Sequence, residues 1–274
     1  MLGGTISSYN SSGTVKLGEP SFARDHLMWS FPEHDFVFPD LETYSSEDAT
    51  PLTYRNALKK IAEEAAEGAF DGILITHGTD TCAFFAQLAS RMSFLSEIPF
   101  VITGSVKAPD ADPEEASGNL DHSVECLENG LTGAVFRDIE GKPRLYGAHL
   151  IMSPDINGIY SEYQDGIKPE IRDSSAFFDK ERLPRVFVLP AVPGTVIPEG
   201  GFDRVLICCN HSGTASAELE PLVREWTSGG IDCYMAPVPS CCGVYESRRR
   251  LREAGAVELQ GMPLEGAWCE VLLR

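Results

Sequence analysis

The stretch D-G-I-L-I-T-H-G-T-D-T-C, residues 71–82, decides how the chain is read. Its first half, D-G-I-L-I-T, is an apolar run of strand length, and a helical pattern extends from Thr79 to Leu95. A buried strand running through a short polar turn into a helix is the unit of a parallel α/β sheet. Working outward, P-F-V-I-T-G-S (99–105) reads as a second strand, L-D-H-S-V-E-C-L-E-N-G (120–130) as a helix and T-G-A-V-F-R-D (132–138) as a third strand. Upstream, S-S-E-D-A-T-P-L-T-Y-R-N-A-L-K-K-I-A-E-E-A-A-E-G (45–68) reads as a capped helix. Ser46 and Asp48 offer caps, and Leu52, Ala57, Leu58 and Ile61 form the apolar stripe. Strand–helix–strand repeats imply parallel pairing through right-handed crossovers.

The alternation weakens after residue 170 and resumes with R-V-F-V-L-P-A-V, D-R-V-L-I-C-C, A-E-L-E-P-L-V-R-E-W-T-S-G-G and I-D-C-Y-M-A-P-V, closing on a helix or strand that ends E-V-L-L-R. The expected fold class is α/β with two domains. A larger N-terminal, mainly parallel domain covers 1–172, a linker covers 173–183, and a smaller flavodoxin-like or Rossmann-like domain covers 184–274. Ligands of open parallel sheets sit beyond the carboxyl ends of the strands. The loops after Thr76, Thr103 and Cys209 are therefore where function is expected.

With 274 residues and 43% apolar side chains the chain can bury a sizeable core. Its net charge of −19 opposes nucleic acid and anionic membranes as partners, which need basic surface. No apolar run is long enough to span a bilayer, and M-L-G-G-T-I-S-S lacks the basic and apolar regions of a secretory signal, so a cytoplasmic location is expected. The eight cysteines include no C-x-x-C pair and sit largely in apolar segments, which reads as reduced, mostly buried thiols. The six histidines have no ligand spacing, and neither metal nor cofactor is expected.

Several polar stretches have two readings. In I-T-H-G-T-D-T-C, Thr79 and Asp80 fall near a helix N-terminus, whose amides favour an anion or oxyanion. The alternative is that Thr79 caps the helix and Asp80 complements its dipole. The Gly- and Ser-rich segment 3–21 reads as a lid over a site or as a surface loop. Ser46 and Glu47 are ligand contacts or cap residues. The acidic stretch 103–120 is a site loop or a solvated one.

The order of these blocks is more specific than any of them. G-G-T-I (3–6), S-S-E-D-A-T-P (45–51), D-G-I-L-I-T-H-G-T-D-T (71–81), P-F-V-I-T-G-S (99–105) and G-N-L (118–120) together resemble the L-asparaginase/glutaminase family of threonine amidohydrolases. L-P-A-V-P-G (189–194), H-S-G-T-A-S-A-E-L-E-P-L (211–222), E-A-G-A-V-E-L (253–259) and G-A-W-C-E-V-L-L (266–273) extend the resemblance to the C-terminus.

The resemblance implies a role for each matching position. Thr5 is the nucleophile. Thr79 activates and positions it or the attacking water, and Asp80 holds the substrate amino group. Ser46, with Glu47 beside it, meets the substrate carboxylate. The Ser105 backbone contacts the leaving group, and Tyr9 of the lid assists. The substrate is asparagine or a related small amide, and the protein a homo-oligomer whose sites receive a neighbour's loop 210–216. The alternative is a weakened, amino-acid-binding sensor or partner module. Three departures stand out. The family's lysine after the third strand falls on Met152, and a thioether neither accepts a proton as a base nor carries charge. Lys107 stands at a usual Arg and Glu115 at a usual Asp; Lys107 and His149 are the nearest substitute cations in sequence. Finally, the strand that precedes G-G-T-I in the family has only Met1 and Leu2 here, which implies either an upstream start or a poorly held Thr5.

Overall fold

The computed structural model describes residues 1–18, 21–197, 200–239 and 243–274. The chain divides into two compact units, one of residues 1–162 with 169–179, the other of residues 163–168 with 180–274.

The first unit opens with a 3-10 turn at Thr5–Ser7 and a hairpin of β1 (Ser8–Ser11) and β2 (Thr14–Leu17), turned at Ser12 and Gly13 in left-handed conformations. Helix α1 (Ser21–Ser30) follows, then α2 (Pro51–Glu67). The sheet comprises β3 (Ile73–Thr76), β4 (Phe100–Thr103), β5 (Gly133–Arg137) and β6 (Pro143–Tyr146), neighbours in that order, with α3 (Cys82–Ala89) and α4 (Pro113–Glu128) as crossovers. The first three strands are parallel and β6 returns antiparallel. All four residues of β4 are buried, which is why F-V-I-T shows no polar alternation. A short pair, β7 (Ile151–Met152) and β8 (Ser161–Glu162), and α5 (Ser174–Phe178) complete the unit. Ile6, Ala23, Leu27, Ala116, Leu120 and Val124 form the core that joins the opening turn to α1 and α4.

Three local readings change. The α2 cap is Thr50, whose side chain accepts from the Thr53 amide, with Pro51 as the first helical residue. Ser46 and Asp48 form a separate 3-10 turn instead. Helix α4 starts at Pro113 under an Asp112 cap rather than at residue 120, because the cap and proline together are a start signal inside the acidic stretch. Helix α3 begins at Cys82, so Thr79 and Asp80 lie ahead of it.

The second unit is a parallel sheet of β9 (Val186–Pro190), β10 (Arg204–Cys208), β11 (Asp232–Val238) and β12 (Val257–Gln260), in chain order. Val223 of α6 (Glu220–Ser228) and Leu251 of α7 (Glu246–Glu253) join one core with Val205, Ile207 and Met235. Ala267 and Val271 of α8 (Leu264–Leu273) join another with Leu206 and Tyr234. Successive strand residues face opposite sides, so helices cover both faces, as in a doubly wound fold. No helix among the described residues is long and apolar enough to cross a membrane. The six described cysteines are in thiol form, five of them buried; Cys241 and Cys242 lie outside the described residues.

Candidate active site

The site begins where β3 ends. The Leu2 amide donates to Thr76 O at 3.0 Å, and the Tyr44 amide donates to Leu2 O at 3.1 Å. Gly3 forms a parallel bridge with Tyr44. Leu2 and Gly3 are thus bound on both sides, to the end of β3 and to Tyr44. Below them, an apolar cavity of about 170 Å³ runs beside β3, lined by Met1, Phe36, Phe38, Leu41, Ile61 and Leu74 among others.

Three loops then meet through two glycines. Gly4 has φ +83°, and a Cβ there would overlap the Gly78 backbone. A Cβ on Gly78 would overlap the Ser46 side chain. Glycine is required at both positions by contact, and at Gly4 by conformation as well. Thr5 and Thr79 directly follow the two touching glycines, and Ser46 is itself part of the contact.

The carbonyls of these loops are tied down. Tyr160 Oη donates to Thr79 O at 2.8 Å, Thr81 Oγ1 to Ser46 O at 2.8 Å and Tyr54 Oη to Thr81 O at 3.2 Å. Thr81 is the α3 cap residue by position, but its hydroxyl holds Ser46 and makes no cap bond. The cap reading of Thr79 therefore fails: the helix starts three residues later, leaving Thr79 half-buried and Asp80 exposed at the turn. Ser46 is buried, while its neighbour Glu47 is exposed.

The remaining expected residues lie at measurable places. Ser105 is buried and its Oγ donates to Lys107 O at 2.6 Å. Glu115, also buried, accepts from the Val106 and Lys107 amides at 2.9 and 3.2 Å, so it shapes the loop after β4. Asn119 Nδ2 donates to Gly104 O in the same loop. Tyr9 stands on β1, 48% exposed, with its ring against Gly18. The hairpin carrying it is fastened by Asn10, whose amide and side chain both donate to Asp110 at 2.7 Å. Met152 lies on β7 opposite Ser161, whose hydroxyl approaches Sδ at 4.0 Å. The Lys107 ammonium turns to Asp112 at 3.4 Å, and His149 is half-buried in the turn after β6. In the second unit, loop 210–216 is a tight turn closed by Asn210 N–H donating to Thr214 O.

Sequence reasoning passed over His77 and Tyr44. His77 is wholly buried; its Nδ1 lies 2.8 Å from Gly78 O and its Nε2 3.0 Å from Tyr44 Oη. Burial holds its pKa down at about 4, so the ring is neutral at pH 7. Burial also pushes the Tyr44 and Tyr160 phenols well above their ordinary value, keeping both as donors. The available signal was position alone: each abuts a glycine or serine of the expected site.

Residues 1–135 match the family model for the asparaginase N-terminal domain. The chain is 33% identical over 314 residues to a glutamyl-tRNA(Gln) amidotransferase subunit from Methanosphaera stadtmanae, covering 98% of this chain and 69% of that protein. The chain belongs to the L-asparaginase/glutaminase family. Among solved structures, it is similar to a cytoplasmic L-asparaginase described as probable from Campylobacter jejuni, with TM-score 0.73 and 20% identity over 99% of this chain and 92% of that one. The thermostable L-asparaginase from Thermococcus kodakarensis gives TM-score 0.68 at 20% identity, covering 99% and 90%. These likenesses establish the asparaginase two-domain fold. The G-G-T-I, S-S-E-D-A-T-P and H-G-T-D-T blocks meet here at the Gly4–Gly78–Ser46 contact.

Proposed function

We propose that this chain is an amidohydrolase that cleaves the side-chain amide of L-asparagine, or of a related small amide, to the acid and ammonia. The observation that carries this reading is the close approach of Gly4, Gly78 and Ser46, which lie in the three blocks that carry Thr5, Thr79 with Asp80, and Ser46 itself. In the reaction, Thr5 Oγ1 attacks the amide carbon, and the proton it loses passes to the amide nitrogen. The tetrahedral oxyanion collapses, the C–N bond breaks and ammonia leaves. Water then attacks the Thr5 ester and releases the acid. Thr79 positions the attacking group, Asp80 holds the α-ammonium, Ser46 with Glu47 takes the α-carboxylate, and the Ser105 backbone meets the leaving amide. Backbone amides at the Thr79 turn meet the oxyanion. Tyr9 closes from the hairpin.

Met152 sets the expected rate. A threonine hydroxyl needs a base, and loss of a positioned base costs roughly 10²–10⁴-fold. Slow turnover with ligand binding retained through Ser46 and Asp80 is the expected outcome. The same residue supports a second reading, an amino-acid-binding sensor or partner module. The relative's designation as a subunit of an amidotransferase supports a protein partner. Ammonia release across asparagine, glutamine and smaller amides, measured beside aspartate binding by calorimetry, separates these readings. Slow ammonia release that rises with Met152→Lys supports the enzyme. Binding with no release in either form supports the sensor, and neither binding nor release refutes both.

A further inference from the structure

The buried imidazole of His77 contacts both Gly78 and Tyr44, in two of the loops that meet at the site. A carbonyl oxygen only accepts, so the 2.8 Å contact with Gly78 O places the proton on Nδ1. In the neutral ring Nε2 is then an acceptor, and Tyr44 Oη donates to it across 3.0 Å. Each end of this pair fixes a different loop. The Gly78 carbonyl belongs to the peptide that leads into Thr79, and the Gly78 backbone is what Gly4 rests on. Tyr44 precedes the Ser45–Ser46 turn, and its own amide bonds Leu2 O, three residues before Thr5. The ring plane is fixed by Phe85, stacked at 4.9 Å, and by Tyr54 and Tyr44 at 5.9 and 5.6 Å. His77 O also lies where a Cβ on Gly104 would fall, so the strand-end loop before Ser105 is seated on the same residue.

We propose that His77, as the neutral Nδ1–H tautomer bridging Gly78 and Tyr44, is the positioning residue that sets the Thr5, Ser46 and Thr79 loops in register for the amide substrate. The proposal rests on the amidohydrolase reading for its substrate, but its geometry is testable without turnover. His77 is not among the groups assigned to the reaction; it acts through hydrogen bonds to Gly78 and Tyr44 on the loops that carry them. Misplacing such loops by about 1 Å costs on the order of 100-fold.

The test compares wild type with His77→Phe, His77→Asn and Tyr44→Phe. Phenylalanine fills the volume without either hydrogen bond. Asparagine keeps a donor near the Nδ1 position. Tyr44→Phe keeps the ring contact and loses only the hydroxyl, so it remains informative if His77→Phe does not fold. Aspartate affinity by calorimetry is expected to fall about 10- to 100-fold in His77→Phe, and by less in Tyr44→Phe, with His77→Asn recovering most of the loss. Unchanged affinity in a folded His77→Phe, or no recovery in His77→Asn, overturns the proposal. If wild type binds neither aspartate nor asparagine, the amidohydrolase reading fails while the positioning is still judged. ¹⁵N NMR must then show His77 with a protonated Nδ1 and bare Nε2, and Gly78 and Thr79 amide exchange must quicken in Tyr44→Phe. The opposite tautomer, or unchanged exchange, overturns it.

Discussion

Gly4 and His77 carry the most consequence for their size. Gly4→Ala forces a side chain into the Gly78 backbone at a φ that disfavours it. We expect a loss of about 2–4 kcal/mol in urea unfolding, with ligand binding abolished, whereas alanine at Gly13, where the surroundings are open, leaves binding intact. His77 makes a pH prediction. Its folded pKa, about 4, lies below the ordinary 6.5, so below pH 6.5 the unfolded chain binds a proton that the folded chain refuses. The contribution is fully present above pH 6.5 and is lost as pH falls toward 4, to a limit of about 3 kcal/mol. An NMR titration should show no His77 titration between pH 8 and 5; a midpoint near 6.5 would contradict the buried, neutral ring. Neither residue's task was legible in the sequence. Thr5, Thr79, Asp80 and Ser46 stand in motif blocks, but a glycine that must touch another glycine 74 positions away leaves no local trace.

Among elements, α2 and α4 separate fold from function. Thr50 caps α2 and Ser46 does not, so the two positions should respond oppositely. Thr50→Ala is expected to cost about 1 kcal/mol of stability with aspartate affinity unchanged. Ser46→Ala is expected to weaken aspartate at least ~10-fold with little change in Tm, since the role proposed for Ser46 is a charge-assisted bond to the ligand carboxylate. Calorimetry beside thermal unfolding checks both; affinity loss in Thr50→Ala alone would reverse the assignment. In α4, Leu120 is wholly buried, and Leu120→Ala is expected to cost about 2–5 kcal/mol. The strands β3, β4, β5, β9, β10 and β11 were legible because buried parallel strands are short apolar runs. Helix α7 was not: E-S-R-R-R-L-R-E hides its inner face, since Arg248 is buried there by a two-pronged pair with Glu258 at 2.8 and 2.9 Å. The hairpin β1–β2 was hidden as well, because its strands are mostly polar and exposed.

For the whole molecule, both units are α/β and the family follows from the order of the blocks, but the rate does not. Everything that distinguishes a working amidohydrolase from a binding module turns on whether Thr5 becomes acylated in a chain with Met152 where the resemblance implies a lysine. The direct measurement is to supply asparagine with hydroxylamine and assay aspartyl hydroxamate, which captures the acyl group as it leaves the enzyme. It should be run on wild type, Met152→Lys, and each combined with Thr5→Ala. Slow hydroxamate formation in wild type, a rise in Met152→Lys and none in either Thr5→Ala form is the predicted result. Hydroxamate that persists without Thr5, or none from Met152→Lys when Thr5 is intact, would contradict a threonine amidohydrolase built on this site.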